Sequence, residues 1–194
     1  MNHVLRPLQE HEFPAVYELM QQSFPLAEYR SFADTQALLS RGDYELLVHA
    51  DADGIIGLIA HWKLDGFLFV EHFAVNAQRR GNGIGGGMMQ TYLSQSTLPV
   101  ILEVEATGSE IAQRRIGFYQ RLGFMLSDVG YLQPCLQGNG ADIPLLLMYT
   151  PKDVSAKLLQ QAQQQIFQTV YRISSAAPQI GDPARSYQAD RSKT

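Results

Sequence analysis

The chain has 194 residues, 45% hydrophobic and 18% charged, the composition of a globular protein able to bury a real core. A net charge of −4 argues against a nucleic-acid-binding surface, and no apolar run approaches the ~18 residues of a membrane span. The single cysteine, Cys135, excludes an intramolecular disulfide, and the absence of an apolar leader-like run near the start argues against export, so a cytoplasmic location is expected.

In chain order, Val4 to Leu8 predicts a short strand, and Glu10 to Gln22 a helix with Phe13, Val16, Tyr17 and Met20 on one face. The Phe24-Pro25 break leads through Glu28, Tyr29 and Arg30 to a second helix over Phe32 to Arg41. Tyr44 to Ala50 and Ile55 to Lys63 read as strands joined by a hairpin turn at Asp51-Ala52-Asp53-Gly54. Phe67 to Val75 is a buried strand broken only by Glu71 and His72, followed by a basic loop and a glycine-rich helix start. Pro99 to Glu105 predicts a strand and Ser109 to Leu122 a helix capped by Ser109. Phe124 to Gln133 and Ile143 to Tyr149 predict two more strands, separated by Gly138-Asn139-Gly140.

Beyond them, Val154, Leu158, Ala162, Ile166, Val170 and Ile173 form the apolar stripe of an amphipathic helix over Asp153 to Ile173. That stripe either docks on its own domain or makes a homodimer contact. The polar segment from Ala176 to Thr194 is expected to be mobile or extended. The chain thus divides into a domain over 1–150, a C-terminal helix over 151–175 and a tail over 176–194.

The glycine run marks a ligand. Gly81, Gly83, Gly85, Gly86 and Gly87 weaken a helix by up to ~1 kcal/mol at each interior position, so the run is expected where backbone must approach something closely. A helix start carries free N–H donors and the positive dipole end, and Arg79 and Arg80 add charge beside it. The pattern suits a pyrophosphate. Gly81-Asn82-Gly83-Ile84-Gly85-Gly86 also satisfies the dinucleotide pattern G-x-G-x-x-G, with Glu103 at about the right distance. In that fold, however, the first glycine follows the strand directly, whereas Asn76 to Arg80 intervene here.

The longer string Gln78-Arg79-Arg80-Gly81-Asn82-Gly83 resembles the acetyl-CoA signature Q/R-x-x-G-x-G/A of the GNAT N-acetyltransferases, and Tyr119-Gln120-Arg121-Leu122-Gly123-Phe124 resembles their Y-x-x-x-G-F segment. Together they imply, over roughly residues 4 to 150, an α/β acyl-CoA N-acyltransferase fold: a twisted mixed sheet split at the central strand and flanked by helices. The implied activity is transfer of an acetyl group from acetyl-CoA to a primary amine of a small molecule, peptide or protein. A CoA-binding regulator without catalysis and a dinucleotide-binding oxidoreductase are the alternatives. The resemblance assigns cofactor contacts to Phe73, Ala74 and Val75, to Gln78, Arg79, Arg80, Gly81, Asn82 and Gly83, and to Ile84, Gly85 and Gly86. It makes Glu28, Tyr29 and Arg30 candidates for substrate contact.

Acetylation of an amine needs a base, because an alkyl amine of pKa ~10.4 is almost wholly protonated at pH 7. Glu103, Glu71 and Glu105 are the carboxylates available, and Leu102-Glu103-Val104 resembles a segment whose glutamate is the base in the ribosomal-protein alanine acetyltransferases. Tyr119 is the implied acid that returns a proton to the CoA thiolate; the alternative is a ring packed with Phe118 and Phe124. The histidines and Cys135 show no metal-ligand spacing, so no metal is expected. His72 reads as a half-buried, satisfied histidine.

Overall fold

A computed structural model describes residues 3–105, 109–137, 141–151 and 153–172. Seven strands form one mixed sheet: β1 (Arg6–Pro7), β2 (Tyr44–Asp51), β3 (Gly54–Leu64), β4 (Phe67–Val75), β5 (Val100–Glu105), β6 (Met125–Gln133) and β7 (Ile143–Thr150). The order across the sheet is β1-β2-β3-β4-β5-β7-β6, which leaves β4 in the middle. The chain resolves into two compact units, and β4 gives Phe67 to Phe69 to one and Val70 to Val75 to the other. The sheet is mixed and flanked by helices, as the fold expectation had it.

The first unit holds β1, β2, β3 and the second half of β4, with helices α1 (Phe13–Ser23), α2 (Phe32–Leu38) and α3 (Ile84–Gln95). β2 and β3 pair antiparallel from Tyr44↔Trp62 to Asp51↔Gly54, closing the hairpin at the expected turn. Gly54 takes a φ of +120 there, a value that a side chain disfavours. Phe13, Val16, Met20, Leu58, Ile59, Trp62 and Met88 are almost fully buried and form this unit's core.

The second unit holds the first half of β4, then β5, β7 and β6, with α4 (Glu110–Arg121) and α5 (Ala156–Gln165). β7 pairs antiparallel with both β5 and β6, so Leu146 opposes Val104 on one side and Gly130 on the other. Ser109 caps α4 as expected, its hydroxyl accepting from the Ala112 N–H at 3.1 Å.

Several boundaries moved for local reasons. The first strand shrinks to Arg6–Pro7, since proline brings no N–H to the ladder. The first helix opens as a 3-10 turn over Glu10–Glu12 and becomes α-helical only at Phe13, with Pro14 in the first turn. Glu12 holds that entry, accepting from Gln9 N–H at 3.0 Å and pairing with Arg6 at 2.5 Å. The second helix stops at Leu38 rather than Arg41, and Arg41 pairs instead with Asp43 at 2.7 Å.

The last helix was expected over Asp153 to Ile173. It runs as α5 and then widens into a π-helix over Ile166–Val170, closed by Tyr171 N–H donating to the Ile166 carbonyl at 3.1 Å. Its buried face comprises Leu159, Ala162, Gln163, Ile166, Phe167, Val170 and Tyr171, so Leu159 takes the place expected for Leu158. Phe167 packs edge-on against Tyr131 of β6 with ring centroids 5.0 Å apart, and Gln163 donates to the Gly130 carbonyl at 3.3 Å. Through these contacts the helix packs on β6 of its own unit. The 138–140 turn and the tail from 176 lie outside the described residues.

Candidate active site

The glycine segment follows β4 in the first unit. Asn76 accepts from Gln78 N–H at 3.0 Å and starts a 3-10 turn over Ala77–Arg79. Arg80 Nε donates back to the Val75 carbonyl at 2.9 Å, which folds the loop onto the end of the strand. Gly81 (φ +101) and Gly83 (φ +73) are left-handed, and Gly83 is the N-cap of α3. Since glycine offers no side-chain oxygen, no cap hydrogen bond covers the first amides of α3. The space a Cβ would occupy at Gly81, Gly83 or Gly86 is empty to 4 Å. An open, uncapped helix start is what an anion needs.

The predicted contacts around this cradle divide. Gln78, Arg80, Gly81 and Asn82 are exposed on the loop, while Ile84, Gly85 and Gly86 form the first turn of α3. Arg79 is turned away, pairing with Asp51 and, at 3.7 Å, with Asp53 of the hairpin turn. Ala74 is buried and Phe73 and Val75 are partly exposed on β4. A Cβ on Gly57 of β3 would lie 2.7 Å from the Ala74 carbonyl and 2.8 Å from Met88 Sδ, so only glycine lets α3 and β4 close on β3 here.

Glu71 lies two residues before Phe73 and is the centre of a buried polar cluster. The Glu71 side chain is 3% exposed although the residue as a whole is partly exposed, so it is the backbone that faces outward. Arg30 donates to Oε1 at 2.5 Å and the Trp62 indole to Oε2 at 2.8 Å. The Arg30 and Arg41 guanidinium groups sit 5.8 and 5.2 Å from the Trp62 ring centre. Burial pushes the Glu71 carboxyl up, but Arg30, His72 and the indole hydrogen bond together outweigh it and hold the carboxyl below its ordinary range. Such a carboxylate is a weak base.

His72 is fully buried rather than half-buried. Its Nε2 donates to the Glu28 carbonyl at 2.9 Å, which assigns the proton to that nitrogen, and its ring packs edge-on against Phe24. Burial lowers its pKa despite Glu71, so the ring is neutral at pH 7. The segment expected to be an acceptor loop therefore also builds the site: Glu28 anchors His72, Arg30 pairs with Glu71, and Tyr29 is buried with its carbonyl accepting from Gln137 at 3.1 Å.

In the second unit, Glu103 accepts hydrogen bonds from two phenols, Tyr131 of β6 and Tyr171 at the end of the π-helix, the latter at 2.7 and 2.9 Å. Glu105, two residues on, instead meets Arg115 of α4 at 3.5 Å. Tyr119 is 7% exposed, wedged edge-on between Phe118 (5.1 Å) and Phe124 (5.5 Å), and burial raises its phenol to about 12. The packing expected as its alternative role is present; a proton-donor role is a separate question. Trp62, Tyr131 and Tyr171 went unnoticed in the sequence.

These observations meet in the comparisons. A family model described as an acetyltransferase (GNAT) domain matches residues 42–126. The Bacillus subtilis protein named "Putative acetyltransferase YjbC" is 30% identical over 159 residues, 80% of each chain. The chain belongs to the GNAT acetyltransferase family. A solved GNAT-family chain from Bacteroides thetaiotaomicron, itself named a "putative acetyltransferase", superposes with a TM-score of 0.82 at 31% identity, over 88% of this GNAT chain and 99% of that one. The ribosomal-protein-S18-alanine N-acetyltransferase from Escherichia coli shares the fold at a TM-score of 0.59 and 17% identity, over 79% and 96% of the two chains. Spermidine N-acetyltransferase from Vibrio cholerae, solved with CoA and spermine, does so at 0.59 and 16%, over 76% and 94%.

Topology also separates this GNAT chain from the dinucleotide alternative, since its glycine segment follows the fourth strand after an intervening 3-10 turn. Among the described residues no His, Cys, Asp and Glu group could hold a metal ion, and no helix is long and apolar enough to cross a membrane.

Proposed function

We propose that this protein transfers the acetyl group of acetyl-CoA to a primary amine of a small molecule, peptide or protein. The observation that carries the reading is the start of α3: left-handed Gly83 as N-cap, no side-chain cap hydrogen bond to its first amides, and empty space where a Cβ would stand at Gly81, Gly83 and Gly86. Those amides would take the pyrophosphate of the substrate, and the edge of β4 from Phe73 to Val75 its pantetheine arm. In the reaction the amine nitrogen attacks the thioester carbon, a C–N bond forms, the C–S bond breaks, and the thiolate leaves. One proton must leave the nitrogen and one must reach the sulfur.

Glu103 fits the base better than Glu71. The Glu71 carboxylate is matched against the full charge of Arg30 and held below its ordinary range, while Glu103 lies in the L-E-V segment that resembles the one carrying the base in the ribosomal-protein alanine acetyltransferases. Tyr119, its phenol raised to about 12 by burial, keeps its proton at pH 7 and is the candidate donor to the departing thiolate, whose own basicity a desolvated site would raise. One observation favours the runner-up, a CoA binder without turnover: the ring of Tyr119 is packed as a core residue would be.

Calorimetry with acetyl-CoA, CoA and NAD, followed by thiol release with a panel of amines, tests the reading. Binding of acetyl-CoA with turnover of at least one amine supports it. Binding without turnover of any amine would leave the regulator, and binding of NAD alone would sink both.

A further inference from the structure

The C-terminal helix lies outside the 42–126 match, yet its last side chain reaches Glu103. Three elements converge on that carboxylate: β5 carries it, β6 brings the Tyr131 phenol, and the end of the π-helix brings the Tyr171 phenol. Both tyrosines are buried, and Phe167 lies edge-on to each of them, with ring centroids 5.0 Å from Tyr131 and 5.7 Å from Tyr171. A phenol has one proton to give. Both phenols donate to Glu103, and hydrogen bonds donated to a carboxyl group favour its ionised form over the protonated one.

We propose that Tyr131 and Tyr171 are positioning residues that hold the Glu103 carboxylate ionised and oriented, which makes the C-terminal helix part of the catalytic apparatus. This rests on the reading of Glu103 as the base. The π-turn has a role in it: five residues per hydrogen-bonded ring let Tyr171 N–H close on Ile166 while its hydroxyl meets Glu103. Glu105, two residues on along β5, has its charge set against Arg115 of α4, and the residue opposite Glu103 across the β5–β7 ladder is the apolar Leu147.

The test follows the Glu103 carboxylate directly by carbon-13 NMR titration of the full chain, in the parent and in Tyr131→Phe and Tyr171→Phe. Both variants keep the ring and lose only the donor. The inference expects the Glu103 titration to move up by ~1 pH unit in each, and the acid limb of kcat to follow with the KM for acetyl-CoA unchanged. Met20→Ala is the control for stability: it opens a cavity in the core of the other unit, lowers the melting temperature, and should leave the titration where it was. An unmoved titration in both phenylalanine variants overturns the inference, as does an equal shift in Met20→Ala. Glu103→Gln separates the underlying reading. If it retains parental turnover, the base assignment fails whatever the tyrosines do; if it loses turnover while the tyrosine variants titrate normally, only the positioning role falls.

Discussion

Arg30 and Glu71, 41 residues apart, form an ion pair at 2.5 Å in which the carboxylate side chain is 3% exposed and the guanidinium 13%. The pair fastens the segment between α1 and α2 to the central strand. Removing one partner of a buried pair leaves an uncompensated charge and costs ~3–5 kcal/mol. Arg30→Met should therefore destabilise strongly in urea unfolding, and Glu71→Gln combined with it should recover much of the loss. A double variant as unstable as the sum of the singles would show that the two residues act separately.

The same pair sets a pH dependence. With its folded pKa below the unfolded ~4.3, Glu71 contributes stability that is complete above that value and is lost as pH falls through the folded pKa. In Arg30→Met burial dominates and raises the carboxyl, so the sign inverts: that variant should lose stability as pH rises from 4 towards 7. Unfolding curves across pH 3 to 7 would show opposite slopes from this group, and parallel ones would refute the account.

At the cradle, Gly83→Asp should abolish acetyl-CoA binding while the fold survives. Aspartate tolerates the left-handed backbone and the site is open, so the damage is the charge set before the α3 amides. Gly83→Asn adds similar bulk without charge and should bind more tightly than Gly83→Asp. Equal affinity of the two by calorimetry would place the anion elsewhere.

Gly57→Ala probes packing rather than chemistry. Its methyl would stand 2.7 Å from the Ala74 carbonyl and 2.8 Å from Met88 Sδ. Overpacking of this kind costs ~1–3 kcal/mol, and because Ala74 lies in the strand edge assigned to the pantetheine arm, acetyl-CoA affinity should fall with stability. A variant with parental melting temperature would mean that the strand yields freely.

Tyr119→Phe decides between acid and core residue. As the acid, the phenylalanine variant keeps its fold and acetyl-CoA affinity but loses ~10²-fold in turnover. As a packing residue between Phe118 and Phe124, it is nearly neutral, whereas Tyr119→Ala destabilises by ~3 kcal/mol or more. Single-turnover kinetics, with chemistry made rate-limiting, distinguish the two.

The sequence by itself determined the element order, the hairpin turn at Asp51 to Gly54, the Ser109 cap and the family. Each is written in local patterns: period-two and period-3.6 apolar spacing, turn residues, and glycines whose backbone freedom leaves a trace in composition. Tertiary structure alone decided which side chains share a buried charge. Nothing in the sequence paired Arg30, read in a loop, with Glu71, read on the central strand as a candidate base, because an ion pair across 41 residues has no local signature. Tyr171 likewise read as the end of an amphipathic helix. Only packing of that helix on β6, with the π-turn that closes it, brought its hydroxyl to Glu103.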